Sequence, residues 1–89
     1  MIYIYAVRFG GGNEHRHITK VRWKNPDNGK SGELGQQGMV DWIDKKGGAA
    51  YVCGSGHLAR VGIVRADPPY IRTYADGVWS DNLVNLTTF

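Results

Sequence analysis

The alternation of apolar and polar positions near the start of the chain predicts a β-strand over Ile2–Phe9. One face of this strand would carry Ile2, Ile4 and Ala6. The other would carry Tyr3, Tyr5, Val7 and Phe9. Because both faces are largely apolar, we expect this strand to lie in the centre of its sheet.

A second strand is predicted over His15–Lys24, after a break at Gly10-Gly11-Gly12-Asn13. One face would carry His15, His17, Thr19, Val21 and Trp23, and the other Arg16, Ile18, Lys20, Arg22 and Lys24. Ile18 and Val21 fall on opposite faces of a regular strand. A β-bulge near Thr19 and Lys20 would place both of them in the core. A dense turn signal, Asn25 to Gly29, follows.

The only helical pattern spans Gln36–Lys46, where Met39, Val40 and Ile43 form an apolar stripe. Gly47 follows at the position of a left-handed C-cap. A helix of about three turns depends on packing for its stability, so we expect it to lie on a sheet.

Further strands are predicted at Ala49–Cys53 and Leu58–Arg65, followed by a hairpin centred on Asp76-Gly77. This turn sets the cross-strand pairs Ala75–Val78, Tyr74–Trp79, Thr73–Ser80, Arg72–Asp81 and Ile71–Asn82. The tail would then follow the core through Leu83, Val84, Leu86 and Phe89.

The predicted order is β-β-α-β-β-β-β within a single domain, residues 1–89. Short connections favour antiparallel neighbours, and one helix can cover one sheet face. We therefore predict an α+β fold: an antiparallel, strongly bent sheet or half-barrel of about five to six strands with one helix.

Composition narrows the class of protein. The 89 residues are 42% hydrophobic and 21% charged, which excludes disorder, and the net charge of +3 favours polyanionic partners. A lone cysteine, Cys53, suits a reducing compartment. We expect no secretion signal, because MIYIYAVRFGGG lacks a basic segment and a long apolar core, and no membrane span, because no apolar run is long enough. We expect a cytoplasmic protein.

Three segments carry a family resemblance: HITKVRW at His17–Trp23, MVDWI at Met39–Ile43, and the tail YIRTYADGVWSDNLVNL. Together they resemble DUF3892, a family of small bacterial and phage-borne proteins of unknown function. The tail keeps the family's Arg-Thr and Asp-Asn-Leu pattern at Arg72, Thr73, Asp81, Asn82 and Leu83, with Leu86 following. Thr87 stands where the family has proline. The resemblance implies no activity and no catalytic residues.

Three patterns could carry chemistry, and each also has a structural explanation. His15, His17, Cys53 and His57 could close a zinc site, although loop-edge histidines and a small buried thiol are the preferred explanation. Cys53 and His57 could form a thiolate–imidazole pair, but the thiol ends an apolar strand. The Gly54-Ser55-Gly56 turn could hold an anion. We assign no metal, cofactor or catalytic residue, and expect no enzyme.

Two kinds of binding stay open. Three Trp and five Tyr are many aromatic residues for so small a core, which favours a protein partner or a homo-oligomer. The alternative is nucleic acid, bound by basic and aromatic side chains on one sheet face. The residues proposed for that face are Arg16, Lys20, Arg22, Lys24, Arg60, Arg72, Tyr74 and Trp79, with Arg65 and Tyr70 on the neighbouring strands. Exposed cations also protect sheet edges, so a solvated surface would look the same.

Overall fold

This computed structural model describes residues 1–54, 57–75 and 77–89, and residues 54, 57 and 75 by their backbone alone. The described residues form eight β-strands and one α-helix. The first elements are β1 (Ile2–Phe9), β2 (Ile18–Lys24), β3 (Ser31–Gly35) and helix α1 (Gln36–Lys45). They are followed by β4 (Ala50–Gly54), β5 (His57–Val64), β6 (Tyr70–Ala75), β7 (Val78–Ser80) and β8 (Thr87–Thr88). The predicted α+β class with a single helix is confirmed.

The strands form one mixed sheet in the order β3-β2-β1-β4-β5-β6-β7, with β8 also paired to β1. β1 pairs antiparallel with β2 along one edge, and parallel with β4 and then β8 along the other. The sheet is not closed. The prediction of a purely antiparallel sheet of five to six strands is therefore wrong. β1 and β4 are connected by the long segment that contains β2, β3 and α1. A connection of this length allows β4 to pair parallel with β1.

Two strands were missed because their sequences carry little strand signal. β3, Ser-Gly-Glu-Leu-Gly, has one apolar side chain and two glycines, yet it pairs with β2 from Lys20–Gly35 to Lys24–Ser31. β8 has only two residues. Both are held by backbone pairing with a stronger neighbour, which local patterns do not reveal.

β1 is central, as predicted, but β-bulges decide which side chains enter the core. Its pairing with β2 skips Tyr5 on β1 and Thr19 on β2. The bulge at Thr19 confirms the sequence expectation, because Ile18 and Val21 are both buried. The bulge at Tyr5 shifts the alternation within β1. Ile4 and Val7 therefore both enter the core, although they are three positions apart.

The second strand begins at Ile18 and not at His15, because His15–His17 form a 3-10 helix. The backbone N–H of His17 donates to the Glu14 carbonyl at 2.9 Å. In return, the Glu14 backbone N–H donates to His17 Nδ1 at 3.2 Å. These contacts keep the first turn of this segment out of the sheet.

Most other local predictions agree with the structure, but β7 ends at Ser80, so the predicted Ile71–Asn82 pair is not part of the ladder and Arg72 meets Asp81 only through an ion pair. Helix α1 ends one residue before the predicted limit, and Gly47 has the left-handed φ of 64°. The hairpin pairs Ala75–Val78, Tyr74–Trp79 and Thr73–Ser80 in the predicted register, while its turn residue Asp76 lies outside the described residues. Asn82 follows β7 outside the ladder. Leu83 is fully buried, and Val84, Leu86 and Phe89 are partly buried.

The core lies between α1 and one face of the sheet, which we call the inner face. Met39 and Val40 of α1 belong there to one core cluster with buried side chains of β1, β2, β4, β5 and β6. Gln36, at the start of α1, is buried and joins two strands that are not neighbours. Its Nε2 donates to the His15 and Ile18 carbonyls at 3.1 and 2.7 Å, and its Oε1 accepts from the Ile71 N–H at 3.0 Å. The sheet therefore bends enough to bring the starts of β2 and β6 to one side chain.

Candidate nucleic-acid interface

A row of basic and aromatic side chains runs across the face of the sheet opposite α1, which we call the outer face. Strand pairing places its members opposite one another in the order Lys24, Tyr3, Tyr51, Arg60, Tyr74 and Trp79. Their neighbours Ile4, Val52 and Ala59 are buried on the inner side. The row crosses six strands, so at about 4.8 Å between strands it extends over about 24 Å. We call it the cross-strand row.

Trp79 and Tyr74 form an exposed aromatic platform at one end of this row. Their side chains are 39% and 44% exposed, and the rings meet edge to face with centroids 5.1 Å apart at 75°. A Cβ added at Gly62 would lie 3.2 Å from two carbons of the Trp79 ring. The indole of β7 therefore reaches across β6 and rests on the bare backbone of β5.

The other end of the outer face is basic. Lys20, Arg22 and Lys24 alternate along β2 with Val21 and Trp23, which pack into the core. Lys20 lies opposite Arg8 of β1. The Lys24 ammonium lies 5.7 Å from the Tyr5 ring centroid. The β2 side of the sheet is thus an electropositive surface with aromatic side chains among the cations.

Phe89 lies among these cations, and its ring contacts two of them. The Arg22 and Arg8 guanidiniums lie 4.0 and 4.8 Å from its ring centroid. Arg8 Nε also donates to the Phe89 carbonyl oxygen at 2.9 Å. Arg22 has an acidic partner as well, Glu33 of β3, with Nε and Oε2 3.2 Å apart. These contacts fix the two arginine side chains against the sheet.

The predicted nucleic-acid residues do not all lie together. Lys24, Arg60, Tyr74 and Trp79 lie together in the cross-strand row, and Lys20 and Arg22 are beside it on β2. Arg72 lies on the outer face one row away, opposite Gly62, and pairs with Asp81 at 3.0 Å. Arg16 lies in the 3-10 helix and not on β2, where it pairs with Glu14 at 3.1 Å. Arg65 lies beyond β5 and pairs with Asp44 of α1 at 2.8 Å.

Sequence reasoning missed Tyr3, Tyr51 and Arg8 as members of the outer face. The alternation of β1 and β4 already places Tyr3 and Tyr51 opposite the buried positions. Their meeting depends on the parallel pairing of Tyr3 with Tyr51, which joins the two halves of the sheet. No local signal predicts that pairing, so the continuity of the row could not be predicted.

The family pattern in the tail has structural roles in this hairpin. Arg72 Nε donates to the Ser80 carbonyl at 3.2 Å, in addition to its ion pair with Asp81. The Thr73 hydroxyl lies 2.7 Å from the Ser80 hydroxyl and is fully buried. Leu83 belongs to the core. These residues fix the end of β7 against β6.

A polar cleft of about 560 Å³ opens beside Arg72, between the 3-10 helix, the start of β6 and the turn after β7. Its walls include Glu14, His15, Arg16, Tyr70, Arg72 and Asp81. The His15 and Tyr70 rings are nearly parallel, at 24°, with centroids 6.5 Å apart. Burial and then the positive charge of Arg72 lower the pKa of His15 below its ordinary value. His15 Nε2 is buried and has no hydrogen-bond partner among the described residues.

The candidates for a zinc site were His15, His17, Cys53 and His57. His15 and His17 lie in the 3-10 helix, and the Glu14 N–H donates to His17 Nδ1. Cys53 is exposed on the outer face and not the small buried thiol considered above, because Ala50 and Val52 take the inward positions of β4. The side chain of His57, and with it the Cys53–His57 pair, lies outside the described residues, as does Gly54-Ser55-Gly56 apart from the Gly54 backbone. Among the described residues, no three His, Cys, Asp or Glu side chains gather in a metal-binding arrangement.

Comparison with known proteins identifies the family and no individual relative. Within the described residues, no helix has the length and apolarity that crossing a membrane requires. No curated protein and no solved structure matches the chain. The family described as "Protein of unknown function (DUF3892)" matches residues 3–87, nearly the whole length. The chain therefore belongs to the DUF3892 family.

Proposed function

We propose that this protein is a non-enzymatic module that binds single-stranded nucleic acid on the outer face of its sheet. The observation that carries the proposal is the cross-strand row, in which cations and aromatic rings follow one another across six strands. Single-strand binders combine a positively charged surface, which attracts the phosphates, with aromatic side chains on which bases stack. The row supplies both kinds of contact on one surface.

The aromatic platform favours single strands over a duplex. The Trp79 indole rests on Gly62 and is 39% exposed. An unpaired base can stack on such a ring, whereas paired bases inside a duplex have their faces covered by neighbouring bases. Stacking of this kind is tolerant of sequence because every base has a π-face.

The charges at the β2 end also support the proposal. Lys20 and Arg8 lie directly opposite one another on β2 and β1. Like charges in this position repel and destabilise the pair of strands. A phosphate bound between them would relieve that repulsion, which supports the binding of an anion at this end of the surface.

The first test is fluorescence anisotropy with a labelled eight-residue oligothymidylate. Replacement of Trp79 by Ala removes one stacking surface, and we expect about a 5- to 100-fold loss of affinity, as for other base-stacking aromatics. Tyr74→Ala should act in the same direction. The matched control is Val78→Ala, which removes an exposed but non-aromatic side chain next to Trp79 in β7 and should leave oligothymidylate affinity within about twofold.

Two results would contradict the proposal. One is that the wild-type protein fails to bind the oligonucleotide at low salt. The other is that Trp79→Ala and Tyr74→Ala bind as tightly as the wild type while circular dichroism shows both to be folded.

Association with another protein chain is the second candidate, and two exposed apolar side chains favour it. Leu58 of β5 is 53% exposed and Val78 of β7 is 66% exposed. Light scattering separates the two functions. A dimer that ignores both salt and oligonucleotide would support self-association, because apolar contacts are little screened by ions.

We place this binding inside the cell, in a reducing compartment. Cys53 is the only cysteine of the chain and its thiol is exposed. An exposed thiol is open to oxidation and to pairing with another chain in an oxidising environment. A bacterial or phage source would be consistent with such a location.

A further inference from the structure

We infer that the polar cleft beside Arg72 takes a single nucleobase, with a preference for guanine; this inference rests on the proposed binding of single-stranded nucleic acid. The cleft would hold one base of a strand whose neighbouring bases stack on the platform. It would add base selectivity to a surface that is otherwise indifferent to sequence.

The position of the cleft connects it to the cross-strand row. Arg72 lies on the outer face of β6, two residues from Tyr74, and also forms part of the cleft wall. Tyr70, two residues further along the same face, lies within the cleft. A strand that stacks on Tyr74 and Trp79 can therefore continue along β6 and place its next base in the cleft.

The charges of the cleft favour a neutral polar group over a phosphate. Arg16 pairs with Glu14 at 3.1 Å, and Arg72 pairs with Asp81 at 3.0 Å. Burial and the nearby Arg72 charge lower the pKa of His15, so its ring is neutral near pH 7. Each cation is thus balanced by a carboxylate. A phosphate would meet as much negative as positive charge there.

Guanine fits this mixture of donors and acceptors better than the other bases. Its N7 and O6 accept two hydrogen bonds from an arginine. Its N1–H and N2–H₂ groups can donate to both oxygens of one carboxylate. The Asp81 and Glu14 side chains are 66% and 62% exposed, so each can exchange its arginine partner for a ligand without a buried rearrangement. The Tyr70 and His15 rings provide an aromatic wall for a planar group.

The volume is adequate for such a ligand. At about 560 Å³ the cleft lies within the range of small-molecule sites, which extends from about 300 to 1,000 Å³. The buried, unpaired His15 Nε2 behind its wall is a further sign that this part of the molecule was not shaped for stability alone.

The experiment measures the two sites with separate probes. Free deoxyguanosine, deoxyadenosine, deoxycytidine and thymidine are titrated into the ¹⁵N-labelled protein, and amide shifts are followed by NMR. In parallel, anisotropy compares oligothymidylate with the same oligomer carrying one central guanine, adenine or cytosine. The variants are Asp81→Asn and Glu14→Gln, singly and combined, with Asp41→Asn on the exposed face of α1 as the matched control.

We expect deoxyguanosine to shift amides of residues 13–16 and 70–72 more than the other nucleosides do. One guanine should raise oligonucleotide affinity about fivefold or more, as expected for a bidentate contact. The gain should disappear in the double variant and persist in Asp41→Asn.

Other results separate this inference from the proposed function. Equal shifts for all four nucleosides, or oligonucleotide affinities unaffected by guanine, would overturn the guanine cleft even if oligothymidylate binds through Trp79. Deoxyguanosine binding in the cleft without any oligonucleotide binding would support the cleft and overturn the proposed function. If the double variant is unfolded, the single variants decide, since each removes one carboxylate.

Discussion

His15 is a buried side chain whose ring nitrogen Nε2 has no hydrogen-bond partner among the described residues. A charged imidazolium there would lose its hydration and would face the Arg72 guanidinium. Burial and that charge both lower the pKa of His15 in the folded protein, while the Asp81 and Glu14 carboxylates act in the opposite direction. The unfolded chain keeps an ordinary histidine pKa of about 6.5.

Stability should therefore fall as the pH drops below about 6.5, because the unfolded state then binds the proton more readily than the folded state does. Above that pH His15 is mostly neutral in both the folded and the unfolded state, so it does not lower the free energy of unfolding. Urea unfolding at pH 7.5, 6.5 and 5.5 measures it. In His15→Asn this part of the pH dependence should disappear.

The comparison variant is His17→Asn, which removes a second histidine of the same 3-10 helix. It should retain the pH dependence that His15 causes. If His15→Asn and the wild type lose the same free energy of unfolding between pH 7.5 and 5.5, then His15 is not the group responsible.

Single residues mark the limit of what the sequence can predict. The exposure of Lys24 and Arg60 follows from simple alternation. The role of Gln36 does not, because it bonds to His15, Ile18 and Ile71, which belong to two other parts of the chain. A glutamine at the start of a helix looks like any polar residue until its partners are known.

At the scale of elements, the platform depends on a glycine in the middle of a strand. Gly62 of β5 leaves room for the Trp79 ring, and a Cβ there would come within 3.2 Å of it. Glycine inside a strand costs stability, and valine is a favourable strand residue. A residue that is unfavourable in a strand, Gly62, therefore lies beneath an exposed aromatic ring, Trp79.

Replacing Gly62 by Val should lift the Trp79 ring from the sheet and weaken oligothymidylate binding, by at most as much as Trp79→Ala. Stability should stay within about 1 kcal/mol of the wild type, because better strand propensity offsets the lost contact. Anisotropy and urea unfolding measure the two effects.

The double variant Gly62→Val with Trp79→Ala provides the control. It should bind no more weakly than Trp79→Ala alone, because both changes act on the same ring. Unchanged oligonucleotide affinity in Gly62→Val would show that the position of the indole on β5 does not matter for binding.

Elements with strong local signals were predictable, and those formed by pairing were not. The Asp76-Gly77 turn gave the correct hairpin register, and the apolar stripe gave α1. His15–His17 form a 3-10 helix where the start of a strand was predicted, because Glu14 and His17 form two hydrogen bonds with each other. β3, with a single apolar residue, exists through its ladder with β2.

At the scale of the whole molecule, the net charge of +3 is distributed unevenly over the surface. Lys20, Lys24 and Arg60 of the outer face have no ion pair among the described residues, while Arg65 and Lys45 pair with the acids of α1. Among the described residues, three cations without an ion pair therefore lie on the face that carries the aromatic row. Fold class and overall charge were predictable from composition and pattern, but strand order depended on the long-range pairings of β1.

Oligothymidylate affinity should fall as salt rises, with a slope in log–log form of about −2 if these three cations contact phosphates. Lys24→Ala and Arg60→Ala should each reduce the slope by about 0.7. Anisotropy between 50 and 300 mM salt measures it. Lys46→Ala, at the end of α1, is the matched loss of charge on the opposite side of the sheet and should leave the slope unchanged.

The parallel partners of β1 also have a consequence for the rate of folding. β4 lies about half the chain away in sequence, and β8 lies close to the other end. Such non-local pairing requires large loops to close before the contacts that stabilise them can form. β1 therefore keeps one edge unpaired until these much later segments of the chain are available. We expect folding on the slower, millisecond-to-second timescale of non-local sheets, during which that edge is open to other chains.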